Sequence, residues 1–234
     1  MRIAVFVRRA VESTFRDSSN EDIERSEKVA LAEASKMIKL RGGDVEVFAI
    51  GDKQMVSLLG QLYGATHATL LSDDMFTNLD VYSKADLLIS AIRKSRPFDL
   101  IMFGEYLQDD PDWLLPYLVA DKLNLPHIPR AIRAWSEDSR IICECVYYES
   151  IYLKESRVPV VVSMLDALHS SVAILRDVKP KEVTIWDSKF LGIKEIAKKL
   201  KVNETKNNLS KRPTLIEYNS YDDLADKIVD LIRK

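Results

Sequence analysis

Glycine is scarce in this chain, with seven in 234 residues and none between Arg8 and Asn20. A phosphate-cradling loop after the first strand needs glycine, because only glycine lets the backbone come close to the ligand. The dinucleotide fingerprint G-x-G-x-x-G is therefore excluded there, and no G-x-x-x-x-G-K-[ST] occurs anywhere. Cysteine is almost as sparse. Cys143 and Cys145 stand two apart on a strand-like stretch, side by side on one face, a spacing that rarely bridges, so two free thiols in a reducing compartment are expected.

Charge of one sign is lacking too: 34 Lys and Arg against 36 Asp and Glu leave a net charge of -2. No electrostatic footprint for nucleic acid or an acidic membrane follows. Long apolar runs are missing. The longest, Val158 to Val162 with its flanks, cannot span a bilayer, which predicts no membrane insertion. The apolar start, Ile3 to Val7, is too short for a signal peptide and meets Arg8 and Arg9 at once, which predicts a cytoplasmic protein. His67, His127 and His169 are scattered with no carboxylate or cysteine at ligand spacing, so no metal site is expected. No G-x-S-x-G elbow is present, and no spacing pairs a serine or cysteine with a histidine. These absences predict a protein without catalytic residues.

What is present describes an ordinary globular protein, 47% apolar and 30% charged, long enough for a sizeable core. Met1 to Val7 is apolar on both faces, as a strand buried in a parallel sheet is. After a polar stretch over 10–25, Val29, Ala30, Ala34, Met37 and Ile38 form a helical stripe that Ser26 is placed to cap and Gly42-Gly43 to stop. Strands follow at Val45 to Ile50, Ala68 to Leu71 and 99–103, separated by helices over 53–63 and 79–95. Such alternation predicts an α/β fold with a parallel sheet and helices on both faces.

Beyond Pro126 the pattern changes to short strands joined by turns: Ile132 to Trp135, Arg140 to Tyr148 and Ile151 to Lys154, then a buried strand over Val158 to Ser163. Residues 164–190 show no period, Gly192 to Leu200 reads as a short helix, and Leu224, Ile228 and Leu231 mark a last amphipathic one. The expected division is an α/β domain over 1–178 and a C-terminal arm over 179–234 that docks on a partner or on its own domain.

The most promising binding stretch is Phe98 to Gly104 with the aspartate-rich turn after it. Ligands of open α/β sheets sit at the carboxyl ends of the strands, and Gly104 stands there. Asp109, Asp110 and Asp112 invite an acid/base or Mg²⁺ reading, but they equally suit the start of the next helix, with Asp112 capping it and Pro116 in its first turn.

Taken together these residues resemble the β subunit of electron transfer flavoprotein over nearly the whole chain. Val7-Arg8-Arg9-Ala10-Val11-Glu12 is similar to that family's first-strand exit, V-K-R-V-x-D. Val29 to Ala34 resembles its I-A-L-E-E-A helix, and Gly51-Asp52-Lys53-Gln54 and Gly64 to Ala68 resemble its G-P-x-Q and G-A-D-x-A. Asp99 to Gly104, Asp109-Asp110 and Leu123 to Pro126 are similar to its P-D-L-V-L-x-G, I-D-D-D and L-x-x-P, and Lys179-Pro180-Lys181 to the K-A-K-K before its C-terminal arm.

The resemblance implies an adenine-nucleotide α-hydrolase-like (Rossmann-like) sheet with extra antiparallel strands and an arm that wraps an α-type subunit. It implies a chain that carries AMP, or FAD in electron-bifurcating members, while the α subunit supplies most contacts to the electron-carrying FAD. The pair would pass electrons from acyl-CoA or related dehydrogenases. Mapped onto this chain, the nucleotide would lie at Phe6, Arg8, Ile50, Gly51, Gly104, Gln108, Asp109, Asp110, Asp112 and Leu115. Some residues depart from the family pattern. Trp113-Leu114-Leu115-Pro116 stand where the family has a G-Q-T-G-like turn, Glu24-Arg25-Ser26 replace N-P-F, Phe6 replaces a small alanine, and His169 to Leu175 form a shorter partner-recognition loop. They carry the alternative expectation, a nucleotide-free structural paralogue that assembles with itself as a homodimer or with a partner. A hydrolase or adenylating enzyme of the same broad fold would need a glycine loop after strand one, which is missing.

Overall fold

The computed structural model describes residues 1–8, 23–95, 97–105, 110, 112–166 and 179–200. Met1–Lys199 forms one compact unit and Leu200–Lys234 a second. Residues 201–234, with the last amphipathic helix expected there, lie outside the described residues, as does the loop over His169 to Leu175.

The first unit is built on one nine-stranded sheet. Its elements in chain order are β1 (Arg2–Val7), α1 (Arg25–Arg41), β2 (Asp44–Ile50), α2 (Met55–Gly60), β3 (His67–Leu71), α3 (Val81–Lys94), β4 (Leu100–Gly104), α4 (Leu115–Leu123), β5 (His127–Glu137), β6 (Arg140–Tyr147), β7 (Ser150–Arg157), β8 (Val160–Met164), β9 (Val183–Trp186) and α5 (Ser188–Leu191). Across the sheet the order is β7-β6-β5-β8-β4-β1-β2-β3-β9. β5 to β9 of that row run parallel, and β6 and β7 add an antiparallel meander to one side. The α/β class, the mostly parallel sheet and the added antiparallel strands are as the residue pattern implies.

Alternation along β1 explains the layers. Ile3, Val5 and Val7 pack with α1 and α2 in one core, and Ala4 and Phe6 pack with α3 and α4 in the other. The register Phe6↔Phe48 and Val5↔Met102 sets β1 between β2 and β4. Because the chain winds outward through β2 and β3 and then returns to β4, the β1/β4 junction is the topological switch point. That is where sheets of this kind open a crevice.

Several local expectations change. Glu24, not Ser26, takes the N-cap of α1, and Ser26 lies buried in the first turn. The reason is packing: a Cβ at Gly104 would stand 2.4 Å from Ser26 Oγ, so the first turn of α1 sits directly against β4. Leu114 rather than Asp112 is the N-cap of α4, with Pro116 in the first turn, where a missing N–H costs nothing. Val183–Trp186, in the stretch without a period, adds a parallel edge strand beside β3. The helix expected over Gly192 to Leu200 is absent; the short α5 precedes it and stops at Gly192, whose φ of 73° is left-handed.

Cys143 and Cys145 point from β6 into the α1 core and are free and fully buried. Burial, with Cys145 and Glu33 adding to it, pushes the Cys143 thiol up to about 12. At pH 8 on the order of one molecule in ten thousand then carries that thiolate. Native protein is expected to leave both thiols unmodified by an aromatic disulfide reagent, and urea-unfolded chain to react twice. Rapid labelling of the native chain would show that β6 is not packed against α1.

Candidate functional site

At the carboxyl ends of β1, β2 and β4 the sequence-predicted residues Phe6, Arg8, Ile50, Gly51, Gly104, Asp110, Asp112 and Leu115 come together; Gln108 and Asp109 lie outside the described residues. Phe6 turns to the α3/α4 side, where its ring stacks between Phe48 and Phe103 at centroid distances of 5.4 and 4.7 Å. Arg8 follows β1 immediately. Its backbone N–H donates to Glu27 Oε2 at 2.8 Å, and Glu27 is fully buried in the first turn of α1.

The Arg8 guanidinium reaches across the crevice to the turn before α4. It lies 2.6 Å from Asp110 Oδ2 and 3.7 Å from Asp112 Oδ2, and its Nε is 3.5 Å from Glu27 Oε1. Lys84 of α3 completes the network, donating to both Asp112 oxygens at 2.7 Å. Burial opposes ionisation of Asp110, but the hydrogen bond from Arg8, the Asp112 N–H and the charges of Arg8 and Lys84 outweigh it and hold the carboxyl below its ordinary range.

Three backbone donors of this turn are used by the chain itself. Asp112 N–H donates to Asp110 Oδ1, Trp113 N–H to the Asp110 carbonyl and Leu115 N–H to the Asp112 carbonyl. The two glycines pack against their own chain. A Cβ at Gly51 would stand 2.4 Å from Met55 Sδ, and one at Gly104 2.8 Å from Glu27 N. The cavity left between Phe6, Arg8, Phe48, Ile50, Lys84 and Leu115 measures about 80 Å³. Beside it, beyond the ends of β2 and β3, an open groove of about 890 Å³ is lined by Gly51, Asp52, Lys53, Asp73, Asp74 and Lys84 among others. Asp73 is ionised there: the Met75 N–H and Ser188 hydrogen bonds hold its pKa down.

One pairing has no signal in the sequence. His127 Nε2 lies 2.7 Å from Ser163 Oγ, because β5 and β8 are neighbours although the residues are 36 apart. The Tyr117 ring covers the imidazole edge-on at 4.5 Å, Ser163 is fully buried, and neither residue lines the two cavities above. The pair is therefore a core hydrogen bond with no substrate access through them. Among the described residues no cluster of histidine, cysteine and carboxylates suits a metal ion, and no helix is long and apolar enough to cross a membrane.

The sequence pattern of the electron transfer flavoprotein domain matches residues 13–189. Subunit CarD of the caffeyl-CoA reductase–Etf complex of Acetobacterium woodii is 24% identical over 158 residues, which is 65% of this chain and 60% of that relative. The electron transfer flavoprotein β subunits of Mycobacterium tuberculosis and Mycobacterium bovis are each 22% identical over 192 residues, 80% of this chain and 71% of theirs. The chain thus spans less than two thirds of CarD's length and somewhat more of the mycobacterial subunits. With the parallel sheet, its antiparallel extension and the ordered crevice residues, the domain match establishes that this chain is a β-type member of the electron transfer flavoprotein domain family.

Proposed function

We propose that the chain works as the β-type subunit of a two-subunit electron transfer flavoprotein, paired with an α-type subunit that holds the electron-carrying flavin. The observation that carries this reading is the extent of the domain match, which runs from residue 13 to within α5 and so takes in every strand of the sheet except β1. The flavin would supply the redox chemistry; this chain would supply surface and rigidity. Two features support that division. Among the described residues the crevice is held by ion pairs, and neither of its two cavities is lined by a histidine or a cysteine. At the other end of the sheet, Ile151, Tyr152 and Leu153 of β7 are all more than half exposed on an edge strand, apolar area and backbone groups of the kind a partner subunit covers. The name of CarD sets that relative in a reductase complex, which supports a dehydrogenase or reductase as the electron donor here.

Co-expression with an α-type subunit tests the proposal. A yellow complex is expected to elute as one chain of each kind, with flavin absorbance that bleaches when a donor dehydrogenase and its substrate are added. Elution of this chain alone, as a homodimer and without flavin in either peak, would overturn it in favour of the self-associating reading.

A further inference from the structure

We infer that the crevice of this chain is closed from within, with Arg8, Lys84 and Phe6 taking up the charge and space that a nucleotide would use, so that the chain holds neither AMP nor FAD of its own. Three independent observations meet here. The first is room: a ligand of that size needs a cleft of about 300 Å³ or more, and the cavity between β1, β2 and α4 holds about 80 Å³. The ring of Phe6, stacked on both faces, fills the flat slot beside it. The close approach that glycine allows at 51 and 104 is already taken by Met55, Ser26 and Glu27.

The second is the supply of donors. A helix start attracts phosphate through its free N–H groups. In this turn the N–H groups of Asp112, Trp113 and Leu115 are spent on Asp110 and Asp112 and Pro116 has none, so that among the described residues only Leu114 and Tyr117 keep a free N–H at the helix start. The third is charge. A phosphate entering beside Arg8 would have to displace Asp110, Asp112 or the buried Glu27, each already within 3.7 Å of the guanidinium. Sideways, the larger groove sets Asp52, Asp73 and Asp74 beside Lys53 and Lys84, one more carboxylate than ammonium, and Lys84 is already bonded to Asp112, so that lining offers the same anion no cationic pocket. What binds β1, α3 and the α4 turn together is therefore an internal ion-pair clasp.

This inference rests on the subunit reading for the identity of the expected ligand, and its test is separable from it. The full-length chain, and its complex with an α-type subunit, are denatured and the released small molecules counted by mass spectrometry. The native chain is also dialysed against AMP and against FAD. No AMP from either sample, no saturable uptake and no rise in Tm with either nucleotide are expected, whereas a bound ligand in excess would raise Tm by several degrees. AMP released in near-stoichiometric amount, or uptake that saturates at one per chain, would overturn the inference while leaving the subunit reading intact. The variant Arg8→Met separates clasp from ligand site. It is expected to lower Tm without changing the response to AMP; an unchanged Tm with lost AMP uptake would make Arg8 a phosphate ligand and overturn the inference. Should the variant fail to fold, dialysis of the native chain decides alone. A chain that neither pairs nor takes up nucleotide would overturn the subunit reading and support the closed crevice.

Discussion

Phe48→Ala is expected to cost about 4 kcal/mol, the largest single loss available in the α3/α4 core. Phe48 is fully buried on β2, and three aromatic rings meet it. The Phe6 ring stacks at 5.4 Å, Phe98 stands edge-on at 5.9 Å and Trp186 at 6.0 Å. Those rings come from β1, from the segment entering β4 and from β9, so they cannot all move inward to fill the space left by one side chain. The loss therefore combines the transfer free energy of the ring, most of the resulting cavity term, and pair terms of about 0.5 to 1.5 kcal/mol for each aromatic contact. Against a total stability of about 5 to 15 kcal/mol the variant would stand near its unfolding threshold. Phe48→Leu keeps much of the apolar volume and should cost about 1 to 2 kcal/mol. Urea titration followed by tryptophan fluorescence reads both, with Trp186 beside the mutated position. A loss below about 1 kcal/mol for Phe48→Ala would mean the ring layer is not packed as described, and the filled slot beside Phe6 would fall with it.

The strands were legible because burial on both faces writes itself into composition. Ile3 to Val7 and Val158 to Val162 are continuous apolar runs and Val45 to Ile50 is interrupted only by Glu46, and each is a buried strand within a residue or two of its expected limits. The meander was legible for a related reason, since Glu137-Asp138-Ser139 breaks two strand-forming runs and the hairpin turns there. The edge strand β9 was not. Val-Thr-Ile-Trp is only four residues long with two of them exposed, and its partner β3 lies more than a hundred positions earlier. A period cannot be read from four residues, and sequence spacing carries no trace of so distant a pairing.

At the crevice the residues were legible and their partners were not. The turn's aspartates read as helix-starting residues, which is their commonest use. Instead Asp112 spends its carboxylate on Lys84 and lies near Arg8, contacts that span 28 and 104 positions and depend on α3 standing beside the turn. Glu27 was hidden because an acidic residue in a helix stripe normally faces solvent, and here the close approach allowed by Gly104 draws the first turn of α1 over it. The clasp is thus a tertiary fact. Tight packing of a helix onto a glycine, more than any motif, decides whether the crevice is open.

Acid should weaken the fold through His127 before it reaches the clasp. Burial, with the Lys154 charge adding to it, pulls this imidazole from its ordinary 6.5 down to about 4. The groups around it are the Ser163 hydroxyl, the Tyr117 ring and the Lys154 ammonium, while Glu105 nearby is itself pushed upward by burial against the pull of Arg130. Between pH 6.5 and 4 the unfolded chain therefore binds a proton at His127 that the folded chain refuses. Stability is complete above the unfolded pKa and falls as pH drops, by about 3 kcal/mol at the lower end of the window. Asp110 acts later. Its folded pKa is depressed, so its contribution is present above the ordinary carboxylate value of 3.8 and is lost only as pH falls below that. Urea midpoints measured at intervals from about pH 7 to 3 are expected to decline steadily, and His127→Gln, which keeps a hydrogen-bonding group toward Ser163, should flatten the decline above about pH 4 while leaving the drop below it in place. An equal slope in the variant would assign the loss to another group and leave His127 protonated or exposed in the native fold. Because His127 meets Ser163, Tyr117 and Lys154 while Arg8 meets Glu27, Asp110 and Asp112, two sets with no group in common, flattening of the first step alone would show that the core and the clasp titrate as separate units. A crevice held by internal ion pairs predicts that separation, since its charges are satisfied by one another and not by groups elsewhere in the sheet.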